Sequence, residues 1–211
     1  MLGTMMPKRT PTVLAAPILA SALLLAGCSG FRGGGSGGSA TLASEISEVM
    51  LKSTLPTRAY TYQDKNTADI YLTDLSQDQL TNFFENDADW STFTGSMVHV
   101  HLFLSPKPGK TPIEPTAANA TVRYIVLTKG EIGVYDGAGF ILPGKKIGKD
   151  SISGALNGAP AKLTRSTARF SDPLPATRLD LSFSAKENTP LAEELRARVN
   201  ALSSAAEPLS Q

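Results

Sequence analysis

Apolar and polar residues alternate along two stretches of this chain. Every second position is apolar over residues 98–104 and again over residues 179–185, and the positions between them include His99, His101 and Asp180. Successive side chains of a strand point to opposite faces, so each stretch predicts a strand with one buried and one solvated face. That arrangement favours an antiparallel sheet.

Helical spacing predicts two helices in the first half of the chain. An N-terminal helix is predicted over residues 41–52, where apolar residues recur three or four positions apart. A short internal helix is predicted to begin after Ser76, whose hydroxyl can form a capping box with Gln79. The apolar positions of these two helices are Leu42, Ile46, Val49, Met50, Leu80, Phe83 and Phe84.

A third helix is predicted near the C-terminus. Thr189 is the expected N-cap, and Pro190 suits the first helical position. Glutamates come early in this helix and arginines come later, as the helix dipole favours. We expect the helix to dock on the sheet through its apolar stripe, which consists of Leu191, Leu195, Val199 and Leu202.

Shorter apolar runs predict the remaining strands. A hairpin is predicted at Asp136-Gly137, between strands over residues 131–135 and 139–142. Further strands are expected over residues 59–62, 68–72, 121–127, 151–156 and 163–170. Strands grouped together, with helices gathered at the ends, predict a single α+β domain over residues 41–211, mainly an antiparallel sheet.

The first 27 residues have the features of an export signal. Lys8 and Arg9 precede an apolar run over residues 13–27. As a helix this run is about 22 Å long, which is short of a hydrocarbon core of ~30 Å. Its length and its basic flank predict a signal peptide rather than a membrane span.

The apolar run ends in Leu25-Ala26-Gly27-Cys28, which resembles the lipobox of the bacterial lipoprotein precursor family. The resemblance implies that a diacylglycerol is attached to the Cys28 thiol and that a signal peptidase cleaves between Gly27 and Cys28. It also implies acylation of the new amino terminus, with palmitate as a typical chain. In proteobacterial members, a serine at the position of Ser29 is usual for the outer membrane.

These features predict a lipoprotein anchored in the cell envelope, in the outer membrane facing the periplasm rather than in the inner membrane. Residues 28–40 are rich in Gly and Ser and are expected to form a flexible tether. Twelve such residues reach about 20 Å, so the folded domain would lie just above the bilayer. The lipid anchor makes the membrane the first expected partner.

Charge and composition exclude several classes of protein. The chain has 20 basic and 19 acidic residues, a net charge of +1, which gives no case for nucleic-acid binding. A single cysteine excludes an intramolecular disulfide framework. Residues 40–94 carry nine acidic and three basic residues, whereas residues 144–169 carry six basic and one acidic. The two regions either neutralise each other in a monomer or offer a basic patch to an envelope polymer or an acidic protein.

His99 and His101 form the sharpest chemical pattern. Two residues apart on a strand, their imidazoles project to the same side and could share a metal ion. A catalytic zinc site needs a third ligand, and nothing in the spacing brings the acidic residues 85–89 to the histidines. We therefore expect no metal and no other cofactor, with His99 and His101 as the candidate ligands if there is one.

Two other motifs resemble ligand-binding loops but lack essential residues. Residues 85–89 are acidic like a calcium loop, without its central Gly and distal Glu. Residues 139–146 match most of a P-loop, but Lys146 stands where Ser or Thr should reach Mg²⁺. The proline-rich stretch 105–119, which contains Pro112 and Pro115 in a P-x-x-P pattern, is either a stiff crossover or a binding loop.

These patterns leave three functional hypotheses. The leading one is a lipid-anchored envelope protein with a non-catalytic binding or assembly role. The first alternative is an anchored hydrolase or metal-dependent enzyme that uses His99 and His101. The second is a purely structural lipoprotein. The sequence identifies no ligand and no catalytic residue.

Overall fold

The computed structural model describes residues 37–85, 92–107 and 117–209. Antiparallel strands dominate these ranges, and only two helices occur in them. The strands are β1 (Ser39–Ser44), β2 (Met50–Thr54), β3 (Thr57–Tyr62), β4 (Ala68–Thr73), β5 (Thr94–Leu102), β6 (Ala120–Thr128), β7 (Glu131–Gly139), β8 (Ser151–Ser166), β9 (Thr177–Lys186) and β10 (Glu207–Pro208). The helices are α1 (Gln77–Glu85) and α2 (Thr189–Ala205).

A single sheet contains all the strands, in the order β2-β1-β9-β8-β7-β6-β5-β4-β3, with β10 beside β8. From β3 to β9, strands that are consecutive in the chain are neighbours in the sheet, each antiparallel to the next. The sheet curves into a half-barrel. The edge strand β3 approaches the end of β9, the third strand from the other edge, because Tyr60 of β3 forms an isolated bridge to Glu187, directly after β9.

The predicted N-terminal helix over residues 41–52 is wrong. The segment is a β-hairpin of β1 and β2, and β1 pairs along its length with β9. Leu42 is fully buried opposite Leu179, whereas Ile46, which the helix would have buried, is 72% exposed in the turn. Pairing with β9 therefore overrode the helical spacing, and the fold is an antiparallel sheet with two helices rather than the predicted α+β arrangement.

The predicted hairpin at Asp136-Gly137 is also wrong, because β7 runs straight through both residues. The turn lies earlier, at Lys129-Gly130, where both residues have positive φ angles of 49° and 83°. Two such residues are what a two-residue turn between twisted strands requires. Gly137 instead allows β7 and β8 to approach closely, since a Cβ there would lie 2.7 Å from the Pro160 carbonyl oxygen.

Each face of the sheet packs an apolar cluster. The inner face holds the larger core, to which nearly every strand contributes. The outer face holds a second cluster, which α2 covers with Leu195, Val199 and Leu202. The predicted docking of α2 is confirmed, although Asn188 rather than Thr189 caps it by accepting from the Leu191 N–H. The strand over 179–185 has the predicted buried face, whose side chains lie in the inner core.

The capping box of the internal helix is confirmed. Gln79 Oε1 accepts from the Ser76 N–H at 2.8 Å, and Ser76 Oγ accepts from the Gln79 N–H at 3.2 Å. Arg198 of α2 then holds α1 in place by donating to the Leu80 carbonyl oxygen at 2.8 Å. Neither helix in the described ranges has the length and apolarity needed to span a bilayer.

Candidate metal centre

The candidate site lies on the outer face of β4 and β5. Val98, Val100 and Leu102 of β5 are buried in the inner core, so the alternation of the strand turns His99 and His101 to the outer face. The predicted strand over 98–104 and the common side of its two histidines are confirmed as far as Leu102, where β5 ends.

Pairing of β4 with β5 places Asp69 directly opposite His101 and Tyr71 directly opposite His99. Side chains opposite each other on one face, and their diagonal neighbours, are within reach of long side chains. His99 Nε2 lies 2.8 Å from Asp69 Oδ1, and His101 Nδ1 lies 2.8 Å from the same oxygen. Three groups that can bind a metal ion thus meet around one carboxylate oxygen, with all three donor atoms within 4.8 Å of one another.

Asp69 is held in its ionised form. Its side chain is only 14% exposed, and burial alone would raise the pKa of the carboxyl group. The hydrogen bonds from His99 and His101 outweigh burial and hold the pKa of Asp69 below its usual range. Because a carboxylate only accepts, each imidazole presents an N–H to it, His99 from Nε2 and His101 from Nδ1.

Aromatic contacts fix the ring of His99. Tyr71 stacks on it with ring centroids 4.5 Å apart and planes 5° from parallel. Tyr71 is itself buried, and burial, followed by the charge of Asp69, raises the pKa of its phenol. The phenol therefore stays neutral at physiological pH and serves as a rigid wall for the imidazole.

A second polar pair separates the site from the neighbouring strands. Arg123 of β6 lies opposite His99, but its guanidinium binds Asp136 of β7 through Nε at 2.8 Å and Nη2 at 3.3 Å. Thr164 also donates to Asp136, at 2.8 Å. Because Arg123 is engaged by Asp136, the carboxylate of Asp69 is hydrogen-bonded by the two histidines rather than by this arginine.

The donor set suits a divalent transition metal. Two imidazoles and one carboxylate bind zinc in sites that keep a fourth position open, and they also bind non-haem Fe(II). Zinc–ligand distances near 2.1 Å imply ligand atoms about 3.4 Å apart in a tetrahedron. The 2.8 Å hydrogen bonds to Asp69 would have to lengthen by about half an ångström to admit the ion.

Sequence reasoning missed Asp69. The residue sits between Ala68 and Ile70, which are both buried in the inner core, so the alternation of that strand already put its side chain on the polar face. The sequence pattern does not reveal the register of β4 against β5, which places Asp69 opposite His101. The acidic residues considered instead, 85–89, lie outside the described residues, apart from the backbone of Glu85.

Other predicted features lie beyond the described ranges or away from this site. Cys28, Gly27 and most of the tether precede residue 37, and the P-x-x-P pattern falls in the undescribed range 108–116. The tether was predicted to end at residue 40, but β1 already begins at Ser39. The P-loop-like stretch 139–146 leaves β7 and leads through turns to β8, not to a helix.

Comparisons with protein-family models, curated proteins and solved structures found no match. The fold and the site therefore define the class by themselves. It is a curved antiparallel sheet with a helix docked on its outer face and a His-His-Asp cluster beside that helix.

Protonation of Asp69 has a predictable effect on stability. Its pKa is lower in the folded chain than the value near 3.9 expected of an unfolded one, so its contribution is present above about pH 4 and is lost as the pH falls through the folded pKa. Asp69→Asn should therefore lower the free energy of unfolding by about 2 kcal/mol at pH 7, a typical value for hydrogen bonds to a charged group. The deficit should shrink in strong acid.

Urea unfolding at pH 7 and pH 3, without metal, measures this difference. Asp78→Asn is the matched control, because it removes the same charge at an exposed position of α1. A deficit for Asp69→Asn that is the same at both pH values would contradict the assignment.

Proposed function

We propose that this chain is a lipid-anchored cell-envelope protein whose domain binds one divalent transition-metal ion, with zinc as the best fit, at Asp69, His99 and His101. The observation that supports metal binding is the convergence of two imidazole nitrogens on the single oxygen Asp69 Oδ1, each at 2.8 Å. The role is non-catalytic binding, in line with the leading hypothesis from the sequence.

Convergence on one atom supports a metal site, because it brings two imidazole nitrogens and a carboxylate oxygen together. A carboxylate has two oxygens with about four lone-pair positions, so two imidazoles have room to bind it far apart. Here both rings aim at one point, and Tyr71 holds the ring of His99 in that direction. A metal ion bound among these three donor atoms, which already lie within 4.8 Å of one another, would replace the two hydrogen bonds, and each imidazole would move its proton to its other ring nitrogen or release it.

We propose binding ahead of catalysis because a cavity of suitable size lies apart from Asp69, His99 and His101. A hydrolase needs a pocket that holds its substrate against the metal. The cavity of about 360 Å³ found within the described part of the chain is lined by other residues and includes none of Asp69, His99 and His101. The metal-dependent hydrolase remains the alternative, because three protein ligands would leave one coordination position open.

Anchoring rests on the lipobox at Leu25-Ala26-Gly27-Cys28 and on the Gly/Ser-rich residues that follow it. Two or three acyl chains on Cys28 would hold the protein firmly, since one chain alone binds membranes reversibly. The proposed location is the outer membrane facing the periplasm.

Calorimetric titration of the full-length chain in detergent with zinc chloride tests the metal site. We expect one zinc ion per chain, and at least a tenfold loss of affinity in Asp69→Asn and in His101→Ala. Asp78→Asn should bind like the parent. A parent chain that takes up no zinc, or variants that bind it equally well, would refute the site.

The same preparations distinguish the hydrolase. Hydrolysis of a small chromogenic ester that depends on added zinc and disappears in His101→Ala would favour the enzyme. Zinc binding without such activity supports the binding role.

A further inference from the structure

A second site lies at one end of the sheet, away from the histidines. The cavity of about 360 Å³ there is bounded by β2, by the start of β5 and by the end of β6, and the segment that follows Phe170 closes its side. Its walls are largely apolar, and they include Leu51, Val126 and Phe170. This size is within the range of small-molecule pockets.

One wall of the cavity carries a carboxylate without a cation. Asp74 Oδ1 accepts from the Ser96 N–H at 2.6 Å. Among the ion pairs in the part of the chain that the structure describes, none includes Asp74. Burial raises the pKa of Asp74, as expected for a carboxylate that lacks a positive partner.

Gly95 makes the seat for this carboxylate. A Cβ at position 95 would lie 2.5 Å from Asp74 Oδ1 and 2.8 Å from the side chain of Leu75. Any other residue would therefore push Asp74 out of its place beside the cavity. The backbone of β5 therefore fixes the Asp74 carboxylate, through the space at Gly95 and the N–H of Ser96.

A network of hydroxyl groups lies at the same wall. Ser53 and Ser96 line the cavity, and the buried Tyr124 hydrogen-bonds them. Ser53 Oγ lies 2.8 Å from Ser96 Oγ and 2.7 Å from Tyr124 Oη, and Tyr124 donates to Ser96 at 3.0 Å. The Ser96 side chain also hydrogen-bonds Asp74, so the hydroxyls and the carboxylate form one network. Each hydroxyl oxygen has two lone pairs, and Asp74 and the hydroxyls of Ser53 and Ser96 therefore form a polar wall with lone pairs that can accept from a ligand.

We propose that this cavity binds a small molecule with an apolar body and one primary ammonium group, the ammonium resting on Asp74 and the hydroxyls of Ser53 and Ser96. An ammonium brings three N–H donors and the positive charge that the carboxylate lacks. The apolar walls take the body of the ligand. Lys52 is exposed and lines the cavity as well, and none of the ion pairs among the described residues joins it to Asp74.

Two nearly isosteric probes test this proposal on the full-length chain in detergent. 1-Naphthylmethylamine is cationic at neutral pH, and 1-naphthylmethanol has the same ring and is neutral. Calorimetric titration should show the amine binding at least tenfold more tightly than the alcohol. Equal affinities, or no binding of either probe at millimolar concentration, would overturn the proposal.

Asp74→Asn should bring the affinity for the amine down to that for the alcohol, because the amide oxygen can still accept from Ser96 while the charge is gone. Asp78→Asn removes a charge from an exposed position nearby in the chain and should leave the preference intact. A preference that survives in Asp74→Asn would refute the role of Asp74.

Nuclear magnetic resonance of the unsubstituted chain gives a readout that needs no variant. The Ser96 amide, which donates to Asp74, should shift on addition of the amine and stay in place with the alcohol. An unmoved Ser96 amide would also overturn the proposal. Zinc affinity plays no part in either test, so this site and the metal centre stand or fall separately.

Discussion

Leu195→Asp should lower the free energy of unfolding by at least about 3 kcal/mol, enough to consume much of the stability of an ordinary domain. Leu195 is fully buried where α2 meets the outer face of the sheet, in a cluster with Tyr71, Met97 and Ile125. The substitution removes an apolar side chain from this cluster and places a carboxylate there with no partner. Both changes act in the same direction.

Ala197→Asp is the matched control for this effect. It introduces the same residue two positions further along α2, where the helix is exposed, and should cost no more than about 0.7 kcal/mol of helix propensity. Thermal and urea unfolding followed by circular dichroism measure both variants. If Leu195→Asp unfolds like the parent chain, α2 is not docked and its apolar stripe is available to a partner.

Cys28→Ala should abolish acylation and release the protein from the membrane. The reason is that each buried methylene contributes about 0.8 kcal/mol, so the attached chains supply nearly all of the proposed membrane affinity. Metabolic labelling with a radioactive fatty acid, followed by fractionation of the envelope, measures both consequences. Ser29→Ala should keep the label, since the acyl chains are attached to the neighbouring cysteine.

Label that persists in Cys28→Ala would show that the lipobox resemblance misleads. The variant also separates anchoring from ligand binding. The metal centre is built on β4 and β5, so Cys28→Ala should bind zinc with the affinity of the parent chain. A loss of zinc binding together with the anchor would mean that Cys28 itself takes part in the site.

Local patterns were sufficient for some elements of this fold. The alternation in β5 and β9, the capping box at Ser76 and the apolar stripe of α2 each depend on residues within one helix or one strand. The N-terminal segment shows the limit of such patterns. Its apolar residues have helical spacing, but the segment forms a strand because it pairs with β9, more than 130 residues away in the chain, where Leu42 lies opposite Leu179.

Arg198 illustrates the same limit inside a correctly predicted helix. The sequence indicated only that the arginines of this helix, which follow its glutamates, complement the helix dipole. In the structure it is buried, with Nη2 bound to the Leu80 carbonyl oxygen at 2.8 Å and to Glu194 Oε1 at 2.7 Å. Only the packing of α1 against α2 could reveal that role.

The sequence by itself determined that His99 and His101 share one side of a strand, because a strand alternates with a period of two and needs no partner to do so. Only the tertiary structure decided what they face. Asp69 is 30 residues from His99, and the register of β4 against β5 brings its carboxylate to both imidazoles. A shift of that register by one residue would turn Asp69 away, since it would exchange the two faces of the strand.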